Sequence, residues 1–198
     1  MPRIAIFLSG HGTNMETLAE KIRSGDLRAE LVFAASDNPD AGGLERAAAL
    51  GIETKCYPFQ LYGRSACEGE IVRDIEKGRI DWIVLAGYMK ILSPEFVSRF
   101  PGRIVNIHPS LLPAFPGKDA IGQAWRYGVK VTGVTVHLVD EKVDHGPILA
   151  QEAIPIEKGE TVESLESRIH ETEHRLYWKT LRDLFDGKIH LSERGSGS

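Results

Sequence analysis

The sequence predicts an α/β protein of a single domain, with a mostly parallel twisted sheet, helices on both faces, and last strands that run in mixed directions. Short apolar runs alternate with segments of helical periodicity as far as Ile107. Strands that alternate with helices require right-handed crossovers, which make neighbouring strands parallel. After Ser110 the alternation stops and two strand-like segments follow each other directly, so the order of elements changes there.

Five strands are predicted in the first half of the chain. Each is a short apolar run closed by glycine or polar residues, as is typical of strands buried on both faces. They are Ile4–Leu8, Leu31–Ala35, Ile52–Tyr57, Trp82–Ala86 and Ile104–Ile107. The segments between them predict helices near Thr13–Ile22, Gly43–Leu50 and Arg64–Lys77. A further helix should begin at Ser93, with the serine as N-cap and Pro94 as its first residue.

The second half opens with a loop rich in proline and glycine. We expect a short helix, two strands and one long amphipathic helix after it. These segments are Ala120–Tyr127, Val131–Val139, Ile148–Ile156 and Val162–Phe185. Because neither a linker nor an internal repeat interrupts the pattern, one domain should cover residues 1–190, and residues 191–198 should form a disordered tail.

Composition excludes several classes of function. The chain is 42% hydrophobic and 26% charged, as in ordinary globular proteins, and its net charge is −4. Without a basic stripe we expect no nucleic-acid partner. No apolar run reaches membrane-spanning length, and the N-terminal run is too short for a signal peptide, so a cytoplasmic protein without a membrane partner is expected. Cys56 and Cys67 lack metal-ligand spacing and should be two buried, reduced thiols.

Four polar or glycine-containing loops should meet at the carboxyl edge of the sheet, where open parallel sheets bind their ligands. Three follow strands and one joins the last two strands; they are residues 9–14, 87–90, 106–110 and 140–147. Their convergence predicts an active site at this edge.

The first of these loops, SGHGTN, has two readings. Gly10 and Gly12 allow a tight turn, and the following helix N-terminus offers free N–H groups, so a phosphate could bind beside Thr13 and Asn14. The loop is equally compatible with an ordinary glycine-rich turn in which Thr13 caps the helix. It has neither GxGxxG spacing nor the lysine of a P-loop.

Asn106 and His108 lie two residues apart at the end of the fifth strand, so both side chains can leave the same side. Histidine is suited to proton transfer, and an asparagine amide can donate to an oxygen that becomes negative. Asp144 would stabilise an imidazolium at His108 if the two met. Taken singly, His108 could be bonded to backbone and Asp144 could be a turn residue, while His137 is expected to be a core histidine bonded to backbone.

The motifs SGHGTN, LAGYMKILS, NIHPSLLPAFPG and GVTVHLVDEKVDHGPILAQ together resemble the phosphoribosylglycinamide formyltransferase family. They occur in that family's order and spacing over nearly the whole chain. The resemblance implies a Rossmann-like formyltransferase domain that moves a formyl group from 10-formyltetrahydrofolate to the amine of glycinamide ribonucleotide, a step of purine biosynthesis. It implies no metal, small-molecule substrates only, and a monomer or homodimer.

The resemblance also implies roles for individual residues. Asn106, His108 and Asp144 would be the catalytic trio. Gly12, Thr13 and Asn14 would bind the substrate's phosphate, and Glu173, with His170 nearby, its ribose. The folate would contact Asn106 and a larger set made up of Arg64, Met89, Lys90, Ile91, Leu92, Asp140, Glu141, Val143 and Asp144. The family often has arginine where this chain has Lys90.

Three alternatives stay open on the sequence. His170-Glu171-Thr172-Glu173-His174 is a literal HExxH motif on a predicted helix, and in a zinc hydrolase both histidines would bind the metal, with Glu193 a conceivable third ligand. The acceptor of the formyl group could also differ, being water or the amine of a sugar nucleotide. The protein could also be a folate- or nucleotide-binding module without turnover, but this alternative gives no role to His108 and Asp144.

Overall fold

A computed structural model of the chain describes residues 1–189, so the expected tail at 191–198 and Glu193 lie outside the described residues. One seven-stranded sheet has the order β3-β2-β1-β4-β5-β6-β7. Its strands are β1 (Arg3–Leu8), β2 (Glu30–Ser36), β3 (Glu53–Cys56), β4 (Trp82–Leu85), β5 (Ile104–His108), β6 (Val131–Leu138) and β7 (Ile148–Pro155). The first five run parallel, and β6 is antiparallel to both β5 and β7. The predicted fold class is confirmed.

Seven helices connect and cover the strands within the described residues. They are α1 (Thr13–Ser24), α2 (Gly42–Ala49), α3 (Phe59–Tyr62), α4 (Arg64–Gly78), α5 (Pro94–Arg99), α6 (Ala120–Tyr127) and α7 (Val162–Phe185). The predicted start of α5 is confirmed, since the Ser93 hydroxyl accepts a hydrogen bond from the Phe96 N–H and Pro94 is the first helical residue. The short helix α3 was not predicted, because four residues are too few to show a helical period.

Alternate residues of β1 pack on opposite faces of the sheet. Ile4, Ile6 and Leu8 belong to a core that contains residues of α1 and α7, such as Met15 and Tyr177. Ala5 and Phe7 belong to a second core, shared with α4 and α5. Because both faces are covered, β1 must be apolar throughout, which explains its continuous apolar run.

The prediction of two buried thiols is wrong for Cys56. Both cysteines are free, but only Cys67 on α4 is buried, whereas Cys56 is exposed. The reason is strand order: Cys56 ends β3, which lies at the edge of the sheet and has a neighbour on one side only. The same position accounts for β3 being shorter than the predicted Ile52–Tyr57, since an edge strand is held by one ladder of hydrogen bonds.

Within residues 1–189, no helix combines the length and the apolar character that crossing a membrane would require.

Candidate active site

The site lies where β1, β4 and β5 end, because these parallel strands are neighbours in the sheet and their carboxyl ends share one edge. The loop 139–147, between β6 and β7, reaches the same edge and brings Asp144 to His108. The convergence that the sequence predicted is therefore present for these three strands and this loop.

His108 is the last residue of β5 and is buried, with 5% of its surface exposed. Its Nδ1 lies 3.4 Å from Oδ2 of Asp144, and its Nε2 lies 2.9 Å from the carbonyl oxygen of Phe115. Both ring nitrogens thus face acceptors, an arrangement that satisfies the two N–H groups of an imidazolium. The His108 ring therefore contacts backbone, which the sequence analysis considered, and it also contacts the Asp144 carboxylate.

Asp144 is fixed by backbone as well as by the two imidazoles. Its Oδ2 accepts a 2.7 Å hydrogen bond from the Gly117 N–H, and its Oδ1 lies 3.7 Å from Nε2 of His137. Burial raises the pKa of this carboxyl, whereas the hydrogen bond from the Gly117 N–H and the charge of His108 lower it, and the resulting pKa lies below the ordinary 3.8. A carboxylate held ionised in this way can stabilise positive charge on His108.

Asn106 is oriented by a residue whose part in the site the sequence did not reveal. Its Nδ2 lies 3.2 Å from Nε2 of His137, and Nδ1 of His137 lies 2.8 Å from the carbonyl oxygen of Leu138. A neutral ring with its proton on Nδ1 donates to that carbonyl and accepts from the amide. One amide N–H of Asn106 is then engaged and the other remains for a ligand.

The predicted backbone bond of His137 is confirmed, but its contact with Asn106 was missed. The two residues are paired across β5 and β6, and His108 is paired with Thr135 in the same way. Thr135 is buried and donates to the Ser110 carbonyl while it accepts from the Leu112 N–H, so it shapes the chain just after His108. Alternation along β6 could have placed residues 135 and 137 on one face, but only the register of the antiparallel pair puts that face beside Asn106.

The glycine loop turns at Gly12, which has a positive φ of 79° and is the N-cap of α1 without any side-chain cap. The reading in which Thr13 caps the helix is therefore wrong; Thr13 is the exposed first residue of α1. A Cβ at Gly12 would lie 2.6 Å from Cα of Gly43, so the loop packs closely against α2. The first-turn N–H groups of α1 stay available to an anion.

Asn14, His170 and Glu173 come together although they are distant in sequence. Glu173 is buried, and its Oε2 accepts hydrogen bonds from Nδ2 of Asn14 at 3.2 Å and from Nδ1 of His170 at 2.9 Å. The hydrogen bond to Glu173, with the charges of Glu173 and Glu166, outweighs partial burial and raises the pKa of His170 above 6.5. Oδ1 of Asn14 is buried without a hydrogen-bond partner among residues 1–189, so it could accept from a ligand.

Apart from Asn106 on β5, the residues expected to contact folate lie on two loops and one helix. Met89, Ile91 and Val143 expose about half of their surface (52%, 56% and 50%), whereas Leu92 is buried in the core beside α4 and α5. Glu141 is exposed, and Asp140 accepts from the Lys142 N–H at 2.9 Å and lies 2.7 Å from Nδ1 of His145. Lys90 is paired with Asp37 at 3.6 Å.

Arg64 stands apart from the other predicted folate residues. It is the exposed first residue of α4 and lines a groove of about 590 Å³ between α4 and α5, together with Arg73, Arg99 and others. The structure does not bring it to His108 or Asp144.

The HExxH motif lies on α7, and within it Glu173 faces Asn14 of α1. His170 and Glu173 are bonded to each other, and Glu173 is also bonded to Asn14. Over the described part of the chain, no three His, Cys, Asp or Glu side chains are grouped so that they could hold a metal ion.

Residues 2–181, which include the amide, imidazole and carboxylate at the carboxyl edge of the sheet, match the formyl transferase family. The chain belongs to this family. It is 41% identical, over 98% of both chains, to the phosphoribosylglycinamide formyltransferase of Bacillus subtilis. It is 40% identical to the trifunctional purine biosynthetic protein adenosine-3 of Gallus gallus, of which it spans only 19%.

Solved structures agree with these relatives. The phosphoribosylglycinamide formyltransferase of Bacillus halodurans is 46% identical, with a TM-score of 0.91 over 96% of this chain and 98% of that one. Glycinamide ribonucleotide transformylase 1 of Geobacillus kaustophilus is 50% identical, with a TM-score of 0.90 over 93% and 98%. The resemblance found in the sequence motifs is confirmed.

Proposed function

We propose that the protein transfers the formyl group of 10-formyltetrahydrofolate to the amine of glycinamide ribonucleotide, which gives N-formylglycinamide ribonucleotide and tetrahydrofolate. The observation that carries the proposal is the buried His108 ring between the Asp144 carboxylate and the Phe115 carbonyl, with the Asn106 amide on the same strand. Full-length bacterial relatives bear the name of this activity.

The chemistry needs stabilisation of negative charge on one oxygen. The neutral amine of the substrate attacks the formyl carbon, and the carbonyl electron pair moves to the formyl oxygen. In this proposal the second N–H of Asn106 and the Nε2–H of His108 donate to that oxygen, which replaces the Phe115 carbonyl as the acceptor of His108. The tetrahedral intermediate then breaks its bond to the folate nitrogen, which takes up the proton that the amine has lost.

Asp144 and His137 do not touch the reacting atoms in this proposal. They act on the two donors, His108 and Asn106. The lowered pKa of Asp144 keeps a negative charge 3.4 Å from Nδ1 of His108, so the ring can remain an imidazolium while the oxyanion forms. His137 accepts one amide N–H of Asn106 and so determines where the other points. Neither a metal nor a covalent intermediate with the enzyme takes part in this scheme.

The two substrates would bind to two different groups of residues. For the nucleotide, the uncapped N-terminus of α1 at Gly12, Thr13 and Asn14 suits a phosphate, and Glu173 with His170 suits ribose hydroxyls. For the folate, Met89 to Leu92 and Asp140 to Asp144 would form the cleft walls, since Met89, Ile91 and Val143 present apolar surface there. Arg64 would meet only a distal part of the folate.

The direct test is to mix the purified protein with 10-formyltetrahydrofolate and glycinamide ribonucleotide. Deformylated folate should accumulate only when both substrates are present, in a 1:1 ratio to formylated nucleotide. Folate deformylation without the nucleotide would instead identify water as the acceptor, and no deformylation under any condition would overturn the proposal. Zinc measured in the same protein should be well below one equivalent, since stoichiometric zinc would favour the HExxH alternative.

We expect the enzyme to work in the cytoplasm, because both cysteines are free thiols, which suits a reducing compartment. The family resemblance implies a monomer or a homodimer.

A further inference from the structure

The loop that joins β4 to α5, residues 86–93, is held at both ends by a serine hydroxyl bonded to a largely buried carboxylate. The two serines and the two carboxylates come from four different parts of the chain. The same chemistry therefore occurs twice around the loop that carries Met89 and Ile91, the exposed apolar side chains on the proposed folate side.

At the first end, the Met89 N–H donates to the Ser9 hydroxyl at 2.8 Å, and this hydroxyl donates to Oδ1 of Asp37 at 2.5 Å. Ser9 also joins the two strand ends through its backbone, since its N–H donates to the Gly87 carbonyl at 3.0 Å. Only 10% of the Asp37 side chain is exposed, and its Oδ2 lies 3.6 Å from Nζ of Lys90. The carboxylate thus meets the loop twice, through Ser9 and through Lys90.

At the second end, the Ser93 N–H donates to Oε1 of Glu68 at 2.8 Å, and the Ser93 hydroxyl donates to Oε2 at 2.5 Å. The same hydroxyl accepts from the Phe96 N–H at 3.1 Å, which caps α5. Glu68 is on α4 and is 8% exposed. Burial of a carboxylate is costly unless hydrogen bonds compensate it, and here both oxygens are occupied by one residue of the loop.

We infer that Asp37 and Glu68 are positioning residues for the folate co-substrate, acting through Ser9 and Ser93 to set the position of residues 89–92 on the proposed folate side. The inference rests on the proposed function and adds to it two residues that never touch the substrate. Hydrogen bonds to an ionised acceptor are stronger than neutral ones, so a carboxylate holds the backbone more firmly than an amide would.

Steady-state kinetics of Asp37→Asn, Glu68→Gln, Ser9→Ala and Ser93→Ala test this inference. Each change should raise KM for 10-formyltetrahydrofolate about tenfold, the effect of losing one charge-assisted hydrogen bond, while KM for glycinamide ribonucleotide changes less than about twofold. Ser9→Thr, which keeps the hydroxyl, should restore most of the lost affinity. Ser24→Ala is the matched control, because Ser24 donates to Asp26 at 3.0 Å on the exposed end of α1, and its kinetics should match the wild type.

Double variants separate positioning from general destabilisation. Ser9→Ala combined with Asp37→Asn should raise KM little more than either change alone, because both break one chain of bonds. Ser9→Ala combined with Glu68→Gln should multiply the two effects to about 100-fold, because they release opposite ends of the loop. An equal rise of both KM values, or multiplied effects within one end, would overturn the inference.

Hydrogen exchange provides a readout that does not depend on the reaction. In Ser9→Ala the Met89 amide loses its acceptor and should exchange at least about tenfold faster while the Ser93 amide keeps its rate. Glu68→Ala, which removes the acceptor of the Ser93 N–H, should show the opposite pattern. If the wild type transferred no formyl group, the proposed function would fail while this exchange pattern could still be seen. Unchanged exchange at both amides would show that the hydrogen bonds to Ser9 and Glu68 do not hold the loop in place.

Discussion

Asn106 has one amide N–H bound to His137 and one free, so its replacement should affect the reaction more than the fold. We predict that Asn106→Ala lowers kcat about 10²- to 10³-fold, the typical cost of losing one donor to an oxyanion. Stability should fall by only about 1 kcal/mol, because the amide contributes one hydrogen bond, to a partly exposed position. Single-turnover kinetics and thermal unfolding measure the two effects, and turnover at the wild-type rate would remove Asn106 from the mechanism.

Asp144 links the site to the pH dependence of stability. Its pKa in the folded state lies below the ordinary 3.8, so the ionised carboxylate stabilises the fold at every pH above that value. This contribution is lost as the pH falls from 3.8 through the lower folded-state pKa. We predict that Asp144→Asn is less stable than the wild type at neutral pH and that the difference shrinks as the pH falls below about 4.

Urea unfolding at neutral pH and at several values below 4 measures that difference. Glu141→Gln is a suitable control, since Glu141 is exposed on the same loop. A gap between Asp144→Asn and the wild type that stayed constant with pH would contradict the assignment.

His170 should titrate above its ordinary 6.5, because Glu173 accepts a hydrogen bond from its Nδ1. We predict that Glu173→Gln lowers the pKa of His170 and that Glu166→Gln lowers it less, since Glu166 lies farther away at 3.6 Å. The stabilisation from this pair is complete below pH 6.5 and is lost as the pH rises through the folded-state pKa. NMR titration of the imidazole protons measures the values, and an equal effect of both substitutions would show that Glu173 is not the main cause of the raised pKa.

Among the elements, α1 and α2 meet at a contact that only glycine permits. A Cβ at Gly43 would lie 2.6 Å from a methyl group of Leu8 and 3.0 Å from Cα of Gly12, whereas nothing lies within 4 Å of a Cβ at Gly42. We predict that Gly43→Ala destabilises the protein by roughly 1–3 kcal/mol, as overpacking does. Gly42→Ala, the neighbouring control, should be neutral or slightly stabilising.

The same contact holds the glycine loop, since the Gly43 N–H donates to the Gly10 carbonyl at 3.0 Å. Gly43→Ala should therefore also weaken binding of glycinamide ribonucleotide, measured by calorimetry, while Gly42→Ala should not. Equal stability of the two variants would show that the loop can move away from α2 without cost.

Across the whole molecule, the fully buried Tyr177 ties α7 to the middle of the sheet. Its hydroxyl lies 2.9 Å from the Leu85 carbonyl and 3.1 Å from the Val105 carbonyl, so one helix contacts the backbone of both β4 and β5. We predict that Tyr177→Phe costs about 0.5–1.5 kcal/mol, the usual net value of one hydrogen bond.

Tyr88→Phe provides the matched comparison. The Tyr88 hydroxyl is buried without a hydrogen-bond partner among residues 1–189, and its ring packs edge-to-face on Phe7 at 5.5 Å. Removing an unpaired buried hydroxyl should leave stability unchanged or raise it by up to about 1 kcal/mol. Chemical unfolding of both variants compares the two hydroxyls, and an equal loss in both would mean that Tyr88 has a partner after all.

Local patterns in the chain were enough to assign nearly every helix and strand, the change of order after Ser110 and the polar loops at the carboxyl edge. They were enough because hydrophobic period, caps and turn residues act over a few neighbouring positions. Even Ser93 and Pro94 could be assigned as cap and first residue. The catalytic candidates Asn106 and His108 also followed from local pattern, since their spacing along one strand puts them on the same side.

Long-range pairing decided the remaining features. The edge position of β3 exposed Cys56, the register of β5 on β6 placed His137 against Asn106, and the packing of four segments brought Asp37 and Glu68 to Ser9 and Ser93. No local pattern specifies these contacts, because strand order and register depend on the summed burial of segments far apart in the chain. The residue types and their spacing therefore define the chemistry available, whereas the tertiary structure determines which of those side chains meet.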